Sequence, residues 1–232
     1  DDYQGKYQWL IGDDQKLTFS IAGASDTGAL DISAESEEGR QDPDAIGETS
    51  LNTKFDQQTL SWQYFADNQD VFSISLGHMT EKVKQKYGQG QFIDLTTQRL
   101  NLRALYQLNW LADHRLNIGA DFQQSNSDYR YDMIPFFCTD HDPDCELKKG
   151  DRVQDQDKLK SVDSAFYIND IYSINNDLSI EYGFRAEHNS YTKQSFIHPR
   201  VALNWYPTND LTISSKIGTY SRFPDIDKAL KK

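Results

Sequence analysis

Every second residue from Leu100 to Trp110 is apolar or aromatic: Leu100, Leu102, Ala104, Tyr106, Leu108 and Trp110. Asn101, Arg103, Gln107 and Asn109 lie between them. A period of two marks a strand whose two faces meet different surroundings. The same pattern returns at Leu17, Phe19 and Ile21; at Leu116, Ile118, Ala120 and Phe122; and at Leu178, Ile180, Tyr182, Phe184 and Ala186. It returns again in Val201, Leu203 and Trp205, then in Leu211, Ile213 and Ile217, across the reversal Pro207 to Asp210. No window carries the 3.6-residue spacing of an amphipathic helix. An all-β, antiparallel chain is predicted, and the open question is what its apolar faces meet.

Composition narrows the answer. Mean hydropathy is −0.75 over 232 residues, and no run approaches the roughly eighteen apolar residues of a membrane helix. A membrane β-strand needs only about 9–11 residues with alternate ones apolar, so that average does not exclude it. The net charge of −12 argues against a nucleic-acid partner, which would require basic surface.

Connections sort into two kinds. Short ones are predicted at Ser25–Gly28, Asp67–Asp70, Ala112–Arg115, Ile174–Asp177 and Pro207–Asp210; longer ones at Glu37–Gly47, Thr80–Gln91, Tyr131–Asp157 and Tyr191–Ser195. They alternate, which puts all the long ones at one end of an up-and-down meander. Membrane barrels show this asymmetry, with short periplasmic turns and long external loops. Between residues 48 and 66 the apolar parity changes, from Leu51 and Phe55 to Leu60, Trp62 and Tyr64, and a bulge near Asp56–Gln58 is expected. Roughly eleven strands result. Trp110, Tyr172, Trp205, Tyr220 and Phe223 gather near strand ends, where interfacial aromatics belong.

Cys138 and Cys145 flank "TDHDPD" in a polar loop. A disulfide is expected; the rival, a zinc site with His141, lacks the usual ligand spacing. The carboxylates of "CTDHDPDCE" suit a hard cation such as calcium, but they lack the order of an EF-hand loop. A solvated acidic tip and no cofactor are expected. The histidines are scattered and no nucleophile elbow is visible, so no enzyme is expected.

The segment "HPRVALNWYPTNDLTISSKIGTYSRFPDI" resembles the barrel of TonB-dependent outer-membrane transporters. Pro199-Arg200, Pro207 to Asp210, Leu211-Thr212, Gly218 and Tyr220 to Pro224 carry the match. Leu178, Gly183 and Arg185 resemble the preceding hairpin, although "SRFPD" has Phe223 where a small residue is usual. The resemblance is good over residues 160–226 and a matter of pattern over 16–130. It implies a transmembrane barrel of about 22 strands around a plug domain, in the outer membrane of a Gram-negative bacterium. Residues 1–232 are then expected to be a single partial barrel domain, about half the strands, without the plug. The implied function is active import of a scarce ligand, such as a ferric siderophore or other metal chelate, energised through TonB. The implied partners are outer-membrane lipid, the TonB system acting through a plug, and a small molecule. Outer-rim aromatics would contact that molecule: Tyr129, Tyr131, Phe136, Phe137, Tyr191, Phe196 and Tyr220. Arg103, Asp121, Glu181, Arg185 and Lys216 would line a polar path. The alternatives are a passive porin-like or adhesin barrel, and a soluble β-sandwich binding module.

Overall fold

The computed structural model describes residues 1–41, 43–134, 136–137, 148–208, 210–221 and 223, with only the backbone described at 136–137 and 148–149. Ten strands form one antiparallel sheet in chain order, each paired with its neighbour. They are β1 (Asp2–Ile11), β2 (Gln15–Ile32), β3 (Gly47–Phe65), β4 (Val71–Tyr87), β5 (Gln91–Leu111), β6 (His114–Met133), β9 (Val153–Asn175), β10 (Leu178–Asn189), β11 (Gln194–Thr208) and β12 (Leu211–Gly218). A two-residue hairpin, β7 (Phe136–Phe137) with β8 (Lys148–Lys149), stands apart, and a five-residue helix, α1 (Glu37–Gln41), lies in the connection before β3. The expected meander is present, with ten main strands among the described residues against roughly eleven expected. Cys138, Cys145, His141 and the acidic tip between them lie outside the described residues, so the expected disulfide does too.

Burial runs opposite to that of a soluble domain. Leu102, Phe166 and Phe184 are 40%, 46% and 45% exposed, whereas Thr97 and Ser127 are 3% and 2% exposed. The apolar faces carry no second layer of protein among the described residues, which removes the β-sandwich alternative. The outward residues form continuous rungs across the strands, for example Leu60, Leu76, Leu102 and Phe122. From Trp110 to Leu100, ten residues at ~3.4 Å tilted by ~45° climb ~24 Å, which matches the roughly 25 Å apolar band of an outer-membrane barrel.

Three expectations fail above this band. The turn at Ser25–Gly28 is absent: β2 runs through it, with Ser25 opposite Lys54 and Gly28 opposite Leu51. The first reversal falls instead at residues 12–14, where Gly12 takes φ 65°. Thr80–Gln91 is not a long connection, because β4 continues to Tyr87 and a Gly-Gln-Gly turn of three residues leads into β5. There is no bulge at Asp56–Gln58; Asp56 pairs with Gly23 and Thr80 in unbroken register. The parity change has another cause. Leu60, Trp62 and Tyr64 face lipid within the band, while Leu51 and Phe55, above it, point to the opposite face. Water accepts polar side chains on either face there, so turn-like and loop-like sequences remain strand once neighbours complete the ladder.

The connections still segregate. One end holds the breaks at 12–14, 66–70, 112–113, 176–177 and 209–210, and the other holds 33–46, 88–90, 134–152 and 190–193. The apolar band abuts the first end. There Trp110 packs edge-on against His114, which stacks on Tyr172 at 4.5 Å between centroids. Asp170 accepts from Tyr182 Oη at 2.7 Å and lies 2.6 Å from His114 Nδ1, while Tyr106 Oη donates to Asp70 at 3.0 Å. This is an interfacial girdle whose polar tips are satisfied by carboxylates. His114, expected within a turn, is the first residue of β6.

Candidate functional site

Beyond the band the strands project to a rim whose connections hold one another. Gln89 N donates to Asp44 O at 3.3 Å and Gln89 Nε2 to Pro43 O at 3.1 Å, which docks the 88–90 turn on the 33–46 connection. Gly88 makes this approach possible. Its φ is +50°, and a Cβ would collide with Asp44 O. Arg152 Nη2 donates to Gly90 O at 3.3 Å, and Ile134 N to Gln91 Oε1 at 2.8 Å, so the two ends of the 134–152 connection are tied to the turn and to the first residue of β5 after it. Arg152 also bonds Asp132, and that hydrogen bond holds the Asp132 carboxyl below the usual carboxylate range.

Tyr129 and Tyr131 lie on the polar face of β6 just below this rim, stacked 6.0 Å apart with planes at 15°. Tyr129 is buried, and its hydroxyl donates to Asp155 Oδ2 at 2.9 Å. Burial, and then the Asp155 carboxylate, push its phenol up to about 12. The pair forms a fixed aromatic step rather than a mobile loop tip.

Lower on the same face runs a chain of charges. Arg103 Nε reaches Asp121 Oδ1 at 2.7 Å, Arg185 Nη1 reaches Asp121 Oδ2 at 2.7 Å, and Arg185 Nε bonds Glu187. Glu187 in turn lies 3.4 Å from His198 Nε2. The Arg185 guanidinium sits over the Tyr167 ring at 5.5 Å, and Tyr167 lies flat across Gly119, directly opposite it in the ladder. These residues edge two shallow cavities of about 370 and 450 Å³, the first also lined by Glu181 and Lys216. Glu181 accepts from Asn169 at 2.9 Å. Such a surface can bind and guide polar molecules; at its end His198 Nε2 also lies 2.8 Å from Ser221 Oγ.

The rim aromatics expected from the sequence do not form one cluster. Phe196, on the polar face of β11, stacks with His198 at 6.0 Å and meets Phe223 at 5.6 Å. Its ladder runs through Glu187 and Ala165 to Asp121, far down β6 from Tyr129. Tyr220 lies under the Arg200 guanidinium at 4.8 Å, and Tyr191 is exposed in the 190–193 turn. For Phe136 and Phe137 only the backbone is described, on the short hairpin at the rim end. The residues that sequence reasoning missed are Asp155, Asp132, Arg152, Glu187 and Tyr167. Glu187 was findable, since it lies two residues from Arg185 on one face of a strand. The others depend on cross-strand register. Among the described residues, no group of three or more His, Cys, Asp or Glu side chains is placed to hold a metal.

A single-layer sheet with a lipid-height apolar band, a charged inner face and a tied rim is the wall of an outer-membrane β-barrel. Residues 2–230 match the family described as "TonB dependent receptor-like, beta-barrel", and the chain belongs to that family. Its location is therefore the outer membrane of Gram-negative bacteria. No curated protein sequence matches it. Solved structures agree in fold. The alcaligin outer-membrane receptor FauA of Bordetella pertussis superposes with a TM-score of 0.67 at 11% identity, over 93% of this chain and 34% of that one. For the outer-membrane transporter YddB of Escherichia coli the values are 0.66, 12%, 88% and 29%. For BauA, the ferric preacinetobactin receptor of Acinetobacter baumannii, they are 0.65, 14%, 92% and 38%. The chain thus spans about a third of the length of these structures.

Proposed function

We propose that this chain is part of the wall and outer rim of an importer that captures a ferric siderophore or similar metal chelate and is energised through TonB. In this reading its partners are a plug domain inside the barrel and the TonB system acting through that plug. The observation that carries it is the tied rim. Two connections, 33–46 and 134–152, converge on the 88–90 turn above the Tyr129–Tyr131 step, at the end to which the strands project. A receptor for a scarce ligand gains affinity from such preorganisation, because less ordering is left to be done on binding. Tyr129 and Tyr131 are the first contacts in this reading, together with Phe136 and Phe137 from the rim hairpin. Tyr191, Phe196 and Tyr220 line the descent along β10–β12 toward the Asp121 network. The fold likeness to FauA, an alcaligin receptor, and BauA, a ferric preacinetobactin receptor, supports the ligand class.

The test is uptake of radiolabelled iron by cells expressing the full-length protein, across a panel of ferric siderophores. Uptake of at least one should depend on TonB, and the Tyr129→Ala/Tyr131→Ala pair should weaken binding by roughly tenfold. Uptake that persists without TonB, or a steady ligand-independent conductance in planar bilayers, would favour a passive channel instead.

A further inference from the structure

The apolar face changes character abruptly at the top of the band. The rung Leu60–Leu76–Leu102–Phe122 is apolar, and the next, Gln58–His78–Leu100–Gln124, is mixed. The three rungs above carry six cations, Lys54, Lys82, Lys84, Arg130, Lys158 and Lys160, against three carboxylates, Asp56, Asp94 and Asp128. In a chain with a net charge of −12 this is a local inversion of sign. Asp128 pairs with Lys158 at 2.9 Å, Asp94 is shared at 3.9 Å by Lys84 and Arg130, and Tyr3 and Gln58 occupy Asp56. Among the described residues Lys54, Lys82 and Lys160 have no carboxylate partner, and all three are exposed. Lys54 and Lys82 stand directly opposite each other in the ladder, a like-charge pair that destabilises the sheet unless an anion lies between them.

The same surface is concave. An open groove of about 1280 Å³ runs over β5, β6 and β9, lined by Arg130, Lys158 and Lys160, by the carboxylates Asp94, Asp128 and Asp157, and by the neutral side chains of Thr96, Gln98, Asn126 and Gln156. Cations for phosphate and amides or hydroxyls for sugar meet there, immediately above the hydrocarbon boundary. We infer that this belt on β3–β6 and β9 docks the phosphate groups of an anionic glycolipid headgroup in the outer leaflet. A lipid fits better than a soluble partner. The groove opens sideways toward the headgroup layer, where a membrane neighbour is always present and a soluble macromolecule would have to intrude. The same phosphate chemistry could be met by a free ion, so the experiment separates the two sources. The inference rests on the projecting end lying outside the cell, and not on which ligand the barrel carries.

The full-length protein, purified from outer membranes in mild detergent, is compared with Lys54→Gln/Lys82→Gln/Lys160→Gln. Retained glycolipid is measured by mass spectrometry. Thermal transitions are recorded with added phosphorylated glycolipid, its dephosphorylated form, or inorganic phosphate at matched phosphate. The wild type should retain glycolipid and shift its transition upward only with the phosphorylated form. The triple variant should retain roughly fivefold less or lower, and lose the shift. A Lys→Arg triple variant should keep both. Equal retention by the Gln variant, or equal shifts with and without lipid phosphates, would overturn the proposal. A shift of the same size with inorganic phosphate would reduce the belt to an ion site and overturn it too. The wild-type comparison decides even if the Gln variant does not fold. A cysteine-labelling measurement of orientation separates failure of this inference from an inverted barrel.

Discussion

Strand β5 passes through two media without a break in register. From Trp110 up to Leu100 its outward residues are apolar and meet hydrocarbon; from Gln98 to Asp94 the outward residues are polar, and Leu95 and Ile93 point to the other face. Hydrogen bonding is the same in both halves. What differs is the penalty for a wrong side chain, which is large where lipid is the only neighbour and small where water is. A substitution pair makes this difference measurable. Ala104→Arg, at mid-band, should destabilise the folded protein in bilayers by about 2–4 kcal/mol. Gln98→Arg, on the same face of the same strand, should change it by no more than about 0.5 kcal/mol. Denaturant unfolding of the full-length protein from lipid vesicles gives both numbers, and equal costs would erase the boundary drawn at Leu100.

The contrast also explains what could be read in advance. Within the band, lipid enforces period two, so Leu100–Trp110, Leu116–Phe122 and Leu178–Ala186 gave the strands, their faces and the short turns between them. In the projecting half nothing enforces it. Ser25–Gly28 has turn composition and Thr80–Gln91 has loop composition, yet Ser25–Gly28 and residues 80–87 are strand because the neighbouring ladders extend past them. The parity change at Leu60 recorded the membrane boundary, not a bulge. The site divides in the same way. Asp121 and Arg185 were legible as inward charges on alternating strands. The bonds of Tyr129 to Asp155 and of Arg152 to Asp132 were not, because they join residues whose proximity depends on cross-strand register.

A smaller effect sharpens the comparison from the projecting half. Tyr129 is folded into that half with its phenol raised to about 12, chiefly by burial. A folded-state value above the ordinary one of about 10 favours the protonated form. The contribution to stability is therefore complete below pH 10 and is lost as pH rises through about 12. Absorbance titration should show a late phenolate that is absent in Tyr129→Phe. A titration curve unchanged by Tyr129→Phe would mean that the step below the rim is open to water.

All of this depends on which end of the sheet faces the medium. Single cysteines placed in a full-length background lacking Cys138 and Cys145 decide it in intact cells. Asp151→Cys, in the 134–152 connection, should react with a membrane-impermeant maleimide. Asp113→Cys, in the 112–113 turn, should react only after the outer membrane is permeabilised. The reverse pattern would place the tied rim and the cationic belt in the periplasm and contradict the account, and equal labelling of both sites would contradict a membrane-spanning wall altogether.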